Sequence, residues 1–403
     1  MVSSSILKLF EQYILMFLKY KIKINNLQFG YIENMSTTDA CMLLKEVVHK
    51  NLGKKSKVFC KFIDLSSAFD MVDHFLLADK LIESNIPIDL VLILCSYLRN
   101  QTARIFWNDT VSPYKIINTG VRQGGILSPF LFNFYINHII NEISSLQVGC
   151  KLGLSRINII AYADDMVLMA NSENDINGLY TKFKILIANH NLKINEIKSK
   201  CLIFRKSKIV PDCICNKIVL GIVDEYNYLG HILQYNLDDT KDIYLKLNNF
   251  YSSFNNTYRN FSMVDFDTFL YLFNSYCAPI YGLHLWNCTN VFNKSIFKTF
   301  NVAYSNSLKK ILGYPRYTSS HWIAEILNVF LFYHRVSAIQ VKYFKRCLKS
   351  VHSIFQLNNF FIRHGYFGNH IISHFNDKYD VSILKYKLDI IISRISWIQL
   401  HER

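Results

Sequence analysis

Three acidic residues carry the chemistry that this sequence offers. Asp64 closes the apolar run Val58-Phe59-Cys60-Lys61-Phe62-Ile63, and the pair Asp164-Asp165 follows Ile159-Ile160-Ala161-Tyr162-Ala163. Each run reads as a short buried strand. The paired acids fall at the tip of a hairpin between strands at residues 157–162 and 166–170. Adjacent strands of one sheet would bring Asp64 to them across the intervening 100 residues. Two carboxylates about 4 Å apart repel by about 4 kcal/mol at an effective dielectric of ~20, so such a cluster persists where cations neutralise it. Hard oxygen ligands suit Mg²⁺, which keeps waters and completes its shell with substrate phosphates. Two such ions roughly 3.5–4 Å apart activate an attacking hydroxyl and stabilise the leaving oxygen of an in-line phosphoryl transfer. An isolated Asp-Asp in a turn is more often a solvated loop; the flanking strands direct this one to chemistry.

The elements that must position these acids alternate along the chain. Residues 1–55 read as mostly helical, with Leu43, Leu44, Val47 and Val48 on one face. Residues 76–99 read as two helices broken near Asn85-Ile86-Pro87, residues 102–107 and 114–119 as a strand pair, and 120–125 as a loop. A helix over 126–143 is entered at Ser128-Pro129. A helix at 175–190, a strand at 202–204 and a strand pair within 228–233 follow, and the pattern from residue 239 is almost wholly helical, with a buried helix pair over 269–286. The fold class is therefore α+β, an antiparallel sheet domain to about residue 235 followed by a helical part.

The helical part is also the basic part. The chain of 403 residues carries a net charge of +15, of which residues 240–403 supply 19 Lys and Arg against 8 Asp and Glu. Such asymmetry is what a polyanion-binding surface leaves in a sequence, although charge by itself more often means solubility charge on ordinary helices. The ten cysteines lack a CxxC spacing or a regular framework, as expected of reduced thiols inside a cell, nucleus and cytoplasm being undistinguished. The apolar stretch 6–18 is interrupted by Lys8, Glu11 and Gln12, so neither a signal peptide nor a membrane span is expected. His364, His370 and His374 with Cys347 read as helix-surface residues rather than zinc ligands.

With these residues in place, a family resemblance is plain. Phe62-Ile63-Asp64-Leu65-Ser66-Ser67-Ala68-Phe69-Asp70 resembles the first palm motif of reverse transcriptases, Gly120-Val121-Arg122-Gln123-Gly124-Gly125-Ile126-Leu127-Ser128-Pro129 the second, and Ala161-Tyr162-Ala163-Asp164-Asp165 the third. Asn191-Leu192-Lys193-Ile194-Asn195-Glu196-Ile197-Lys198-Ser199-Lys200 is similar to the fourth, and Tyr228-Leu229-Gly230 to the primer-grip hairpin. Gln28-Phe29-Gly30-Tyr31 with Ser36-Thr37-Thr38-Asp39-Ala40, and Ile311-Leu312-Gly313-Tyr314-Pro315-Arg316, resemble segments of non-LTR (LINE-type, jockey/CR1-like) retrotransposon enzymes. The resemblance covers about residues 27–330.

It implies a right-hand polymerase: partial fingers over 1–57, palm over 58–235, helical thumb over 236–290 and a basic helical region over 291–403. It implies RNA-directed DNA synthesis, with an RNA template, a DNA primer, deoxynucleoside triphosphates and two Mg²⁺ ions, Mn²⁺ being a possible substitute. Asp64 and Asp164 would hold both ions, with Asp165 completing the triad, and Lys198 would assist departing pyrophosphate, with Lys200 as its competitor. Phe69 matches the steric gate against a ribose 2′-OH; Gln123 and Gly124 match the nucleotide-supporting loop, with Arg122 as a phosphate or template contact. Tyr228, Leu229 and Gly230 would position the primer terminus. Lys309, Lys310, Arg316, Lys342, Lys345, Arg346 and Lys349 would track duplex phosphates.

The sequence also departs from that pattern. Nothing before Gln28 resembles the earlier fingers motifs. Where the family has Arg after Gly-Phe and a Gly before Arg-Ser-Thr, this chain reads Gly30-Tyr31-Ile32-Glu33 and Asn34-Met35-Ser36, and a glutamate near a triphosphate would repel it. No endonuclease domain or Cys-Cys-His-Cys knuckle is found, so the chain reads as a fragment or truncated copy of a longer element protein. The competing expectations are an inactive nucleic-acid-binding relic and a group II intron-type enzyme with maturase function. Oligomeric state is left open.

Overall fold

The computed structural model describes residues 5–349 apart from 54–55, 100, 154, 208–219, 287–293 and 328, and in the last helix leaves out the side chains of 341, 344, 345, 348 and 349. The chain divides between Asp224 and Glu225 into two compact units.

The first unit is built on a five-stranded sheet. Strand β1 (Val58–Ile63) lies at its centre and pairs antiparallel with β9 (Asp165–Ala170) on one side and β10 (Lys200–Phe204) on the other. Strand β8 (Ile159–Tyr162) adds to β9, and β11 (Ile222–Val223) runs parallel to β10 at the far edge. Every residue of β1 is buried, as an apolar run interrupted only by Lys61 leads one to expect when both faces of a sheet are covered. Helix α6 (Glu173–Asn189) packs on β1 and β9. It starts where Ser172 Oγ accepts the N–H of Asp175, and it buries Ile176, Leu179, Tyr180, Phe183 and Ile187 at helical spacing. Helix α5 (Ser128–Ser144) carries a proline in its first turn and is buried nearly all round, and both α5 and α2 (Thr37–Asn51) pack on β8. Lys61 is the one charge on β1; its Nζ donates to Asn177 Oδ1 at 2.8 Å and lies 4.4 Å from the Tyr180 ring centroid. Burial lowers its pKa to about 8.

The second unit opens with the hairpin β12 (Glu225–Tyr228) and β13 (His231–Gln234). Its two-residue turn, Leu229-Gly230, has φ of +48° and +79°, the left-handed pair that matches strand twist and favours glycine. Helices Thr240–Phe261, Phe266–Leu272, Ser295–Ile311, Ser320–Ile326 and Phe332–Lys349 follow, around a core rich in rings that includes Phe250, Phe254, Phe273, Phe300, Tyr304 and Phe332. The helix pair expected over 269–286 forms only in its first half. Phe266–Leu272 passes into a π-helical turn, Phe273–Cys277, after which Pro279, which lacks an N–H, and Gly282 at φ +71° leave a single 3-10 turn, Leu283–Leu285.

Among the described residues no helix is long and apolar enough to cross a membrane. The seven described cysteines form no disulfide. Cys213, Cys215, Cys288, His364, His370 and His374 lie outside the described residues.

Candidate active site

The sheet register sets the acids. Ile63 is opposite Met166, so Asp64 and Asp165 are the next residues out at the same sheet end. The Tyr162–Asp165 pair closes the β8–β9 hairpin over Ala163-Asp164. All three acids are half-buried. Desolvation raises the pKa of Asp164, with Asp64 adding to it. Asp165 is pushed up to about 6 by burial first and then by Asp164 and Asp64, while Lys198 opposes the rise. Three carboxylates thus share one partly desolvated place and repel one another.

That donor set is all oxygen, the chemistry that suits a hard divalent cation. Among the described residues no three His, Cys, Asp or Glu side chains close into a preformed metal cage. By the chemistry of that donor set alone, carboxylate oxygens held close together, the residues present fit such an ion.

Segment 27–30 braces the turn from behind. Phe29 N–H donates to Ala161 O and Ala161 N–H to Leu27 O, both at 2.8 Å, which lays this segment alongside β8. Fully buried Gln28 turns its Oε1 to two main-chain amides, Gly30 N and Ala163 N, each at 2.9 Å. Ala163 is thereby held at φ +54°, a conformation few non-glycine residues adopt. Gly30 fits because a Cβ there would lie 2.4 Å from Ala163 N.

The segment 191–200 is lashed to the other side of Asp64. Asn195 N–H donates to Asp64 O and Ser66 N–H to Lys193 O, both at 2.8 Å, and Asp64 N–H donates to Ser199 Oγ at 3.1 Å. This strapping carries Lys198 to the acids, with its Nζ 3.9 Å from Asp64 Oδ2. The Lys198 side chain is 69% exposed, free to meet a substrate. Lys200 is half-buried in β10, opposite Phe62.

Phe69, in the 3-10 turn Ala68–Met71, stacks on Phe132 with centroids 4.4 Å apart and meets the edge of Tyr31 at 6.3 Å. It is only half-buried, so the ring is packed on one side and open on another. The loop 119–125 is tied to the same turn: Val121 N–H donates to Phe69 O at 2.9 Å, Gly120 N–H to Val72 O at 2.7 Å, and Gln123 Nε2 to Asp70 Oδ1 at 2.9 Å. Gln123 and Gly124 are exposed there. Arg122 is placed differently, its guanidinium 4.8 Å from the Tyr97 ring centroid.

Sequence reasoning missed the residue that orders this corner. Glu11, on helix α1 (Ser5–Lys21), is fully buried. Its carboxylate accepts from Tyr97 Oη at 2.6 Å and from Ile126 N at 2.5 Å, holding the entry to α5. Its only signal was a charge interrupting an apolar stretch. Gln28, Asn195 and Ser199 lay inside recognised motifs, but nothing in the sequence said whom their atoms would meet.

Tyr228, Leu229 and Gly230 form the hairpin turn of the second unit, where Tyr281 Oη donates to Leu229 O at 2.8 Å. A buried ionic network anchors that hairpin. Asp242 accepts from Ile232 N at 3.0 Å, lies 3.1 Å from His231, takes the Trp286 indole N–H at 2.7 Å and pairs with Lys246. His231 and Lys246 hold the Asp242 carboxyl far below the usual carboxylate range despite its burial.

The basic candidates divide. Lys309 is buried, one turn after buried Ser305, and donates to Arg316 O at 2.8 Å, so it faces inward. Lys310 stands 4.0 Å from the Tyr258 ring centroid, and Arg316 is exposed. Lys342 and Arg346 are exposed one turn apart, Arg346 5.0 Å from the Tyr343 ring centroid. The side chains of Lys345 and Lys349 lie outside those described.

The profile of the family "Reverse transcriptase (RNA-dependent DNA polymerase)" matches residues 1–233. The chain is 26% identical over 212 residues to a Retrovirus-related Pol polyprotein from type-1 retrotransposable element R2 of Nasonia vitripennis, covering 50% of this chain and 20% of that protein. It is 23% identical over 335 residues to the RNA-directed DNA polymerase from mobile element jockey of Drosophila melanogaster, 79% of this chain and 35% of that one. Among solved structures, apo telomerase from Candida tropicalis aligns over 88% of this chain and 55% of its own at 13% identity and a TM-score of 0.43. The chain spans about a fifth to a third of the curated relatives it matches.

Proposed function

The chain belongs to the reverse transcriptase family, in its non-LTR retrotransposon branch, and from that premise we propose that it extends a DNA primer on an RNA template with deoxynucleoside triphosphates. The observation that carries the reading is the shared position of Asp64, Asp164 and Asp165 at one sheet end, with Lys198 3.9 Å from Asp64.

Enzymes of this family generally use divalent metal ions. We assign two Mg²⁺ ions, replaceable by Mn²⁺, to Asp64, Asp164 and Asp165. When bound, the ions supply charge neutralisation at the triphosphate and the primer hydroxyl. The chain's own residues do the rest. The strained Ala163 turn and its Gln28 brace fix Asp164 against movement, and the Asn195 and Ser199 bonds fix Asp64, so the acids are oriented before substrate arrives. Lys198 is the cation we assign to the pyrophosphate leaving group: exposed, and anchored beside the acids through its own loop. Phe69 presents its free side to the sugar, while Gln123 and Gly124, tied through Asp70 to the same turn, support the nucleotide. Arg122, drawn onto Tyr97, is assigned a template contact only.

We assign the fingers to residues 1–57 and the palm to 58–235, with its primer grip at Tyr228-Leu229-Gly230. The thumb is assigned to 236–290 and the basic region, through Lys310, Arg316, Lys342 and Arg346, to duplex phosphates. Charge-rich helices of this kind bind polyanions without sequence preference and weaken with salt.

The test is primer extension with purified chain, Mg²⁺, an RNA template and a DNA primer. Asp164→Asn should abolish extension and leave binding to the primer–template intact. Wild type that binds the duplex yet adds no nucleotide in Mg²⁺ or Mn²⁺ would make the chain a binding relic instead.

A further inference from the structure

Residues 101–117 form a hairpin that the polymerase reading does not use. Strand β2 (Gln101–Ala103) pairs with β5 (Lys115–Ile117), and beyond them β3 (Phe106–Trp107) pairs with β4 (Thr110–Val111). The chain reverses at Asn108-Asp109, φ +40° and +61°, a left-handed pair suited to a two-residue loop. Ser112 stiffens the arm: its N–H donates to Ile105 O at 2.9 Å while Ile105 N–H donates to Ser112 Oγ at 2.8 Å.

What this stiff arm holds outward is aromatic. Phe106 is 66%, Trp107 73% and Tyr114 65% exposed. The Arg104 guanidinium stands beside two of these rings, 4.8 Å from the Phe106 centroid and 4.9 Å from that of Tyr114. A protein surface rarely leaves large rings clustered in water without a use for them. The charge around them selects the partner: residues 99–119 carry Arg99, Arg104 and Lys115 against Asp109 alone. Rings interleaved with cations meet the two needs of an unpaired nucleic-acid strand, whose bases stack on aromatic faces and whose phosphates seek positive charge. The hairpin is also continuous with the candidate site, because three residues after β5 the Gly120 and Val121 amides bond to the turn that carries Phe69.

We propose that this hairpin is a stacking platform for unpaired bases of the single-stranded RNA template, on the arm that leads into the nucleotide loop. The proposal rests on the polymerase reading for the identity of its strand. Phe106, Trp107 and Tyr114 take the base faces, and Arg104 takes a base face or the adjoining phosphate.

The test uses the full chain carrying Phe106→Ala, Trp107→Ala and Tyr114→Ala together, a change on exposed side chains whose folding is checked by circular dichroism. Anisotropy is read with labelled unpaired RNA, with a primer–template bearing a 5′ template overhang, and with a blunt duplex. Affinity for the first two should fall about tenfold or more while the blunt duplex changes less than about twofold. Equal loss on all three, or no loss on any, overturns the platform. So does a change of oligomeric state in sedimentation with RNA binding unaltered, which would make the arm a protein interface. Wild type that binds unpaired RNA through these rings but extends no primer keeps the platform and removes the polymerase reading; extension with binding indifferent to the rings does the reverse.

Discussion

Gln28 Oε1 accepts the main-chain N–H of Ala163 at 2.9 Å, joining residues 135 positions apart at the back of the acidic turn. The same oxygen holds Gly30 N, so its removal strands two buried amides. We predict that Gln28→Leu lowers stability by about 1–3 kcal/mol and slows primer extension well beyond what partial unfolding explains. Thermal unfolding alongside single-turnover rates on the folded fraction checks this. A variant that loses stability but keeps its rate would reduce the brace to ordinary packing.

Phe69 is packed on Phe132 and half-open. Phe69→Val is expected to raise the ratio of ribonucleotide to deoxynucleotide incorporation by about tenfold or more, the scale of about 1–3 kcal/mol for a change of fit in an apolar pocket. The ratio is an internal control, because damage to folding lowers both rates together. An unchanged ratio would leave Phe69 as core alone.

Lys198 is exposed and contacts Asp64 only at 3.9 Å, so it adds little to stability. Lys198→Ala should leave the melting temperature nearly unmoved and cut the extension rate about a hundredfold, the usual worth of a positioned proton donor or cation. Lys200→Ala serves as the comparison, and a larger rate loss there would transfer the role.

Much of this site was legible beforehand. The strand ends that carry Asp64 and Asp164, the hairpin between β8 and β9, and the start of α5 at Ser128-Pro129 all follow from local patterns: apolar runs, turn chemistry and a helix-start signal. Side-chain partners were not legible, because they depend on register between strands far apart in sequence. Lys309 shows the limit. Its charge suggested phosphate, whereas its place on the packed face of Ser295–Ile311 turns it inward to Arg316 O. Arg122 lies in the expected loop yet is drawn to the ring of Tyr97, a residue of α4 (Ile88–Leu98) that no motif marks.

His190 supplies a pH dependence. It is 5% exposed, its Nδ1 lies 2.8 Å from Leu186 O, and burial, aided by Lys80 and His138, lowers its pKa from 6.5 to about 4. The folded state therefore prefers the neutral ring. Its contribution is complete above pH 6.5 and is lost as pH falls from there toward about 4, up to roughly 3 kcal/mol at about 1.4 kcal/mol per unit. Urea midpoints across that range should fall less steeply in His190→Phe than in wild type. Identical slopes would show that other groups govern the acid limb.

Asp242 is predicted to be the most costly single charge to remove from the second unit. Asp242→Ala leaves Lys246 without this buried ion pair and frees the Trp286 N–H and Ile232 N–H, a loss of about 3–5 kcal/mol on the scale of broken buried pairs. Differential scanning calorimetry resolving the unit's transition checks this, and a shift of under about 1 kcal/mol would mean the network relaxes freely.

Strand β1 has a consequence for how the protein comes to exist. It waits for partners that leave the ribosome over 100 and nearly 140 residues later, so the acids cannot meet until synthesis has passed residue 170, and the other side of β1 is not paired until residue 204. Late pairings of this kind close slowly, and meanwhile Val58–Ile63 is a naked apolar strand able to stick to other nascent chains. Lys61 stands in its middle, held inside by Asn177 and Tyr180 once folded, and a charge at that place in the unpaired strand opposes aggregation.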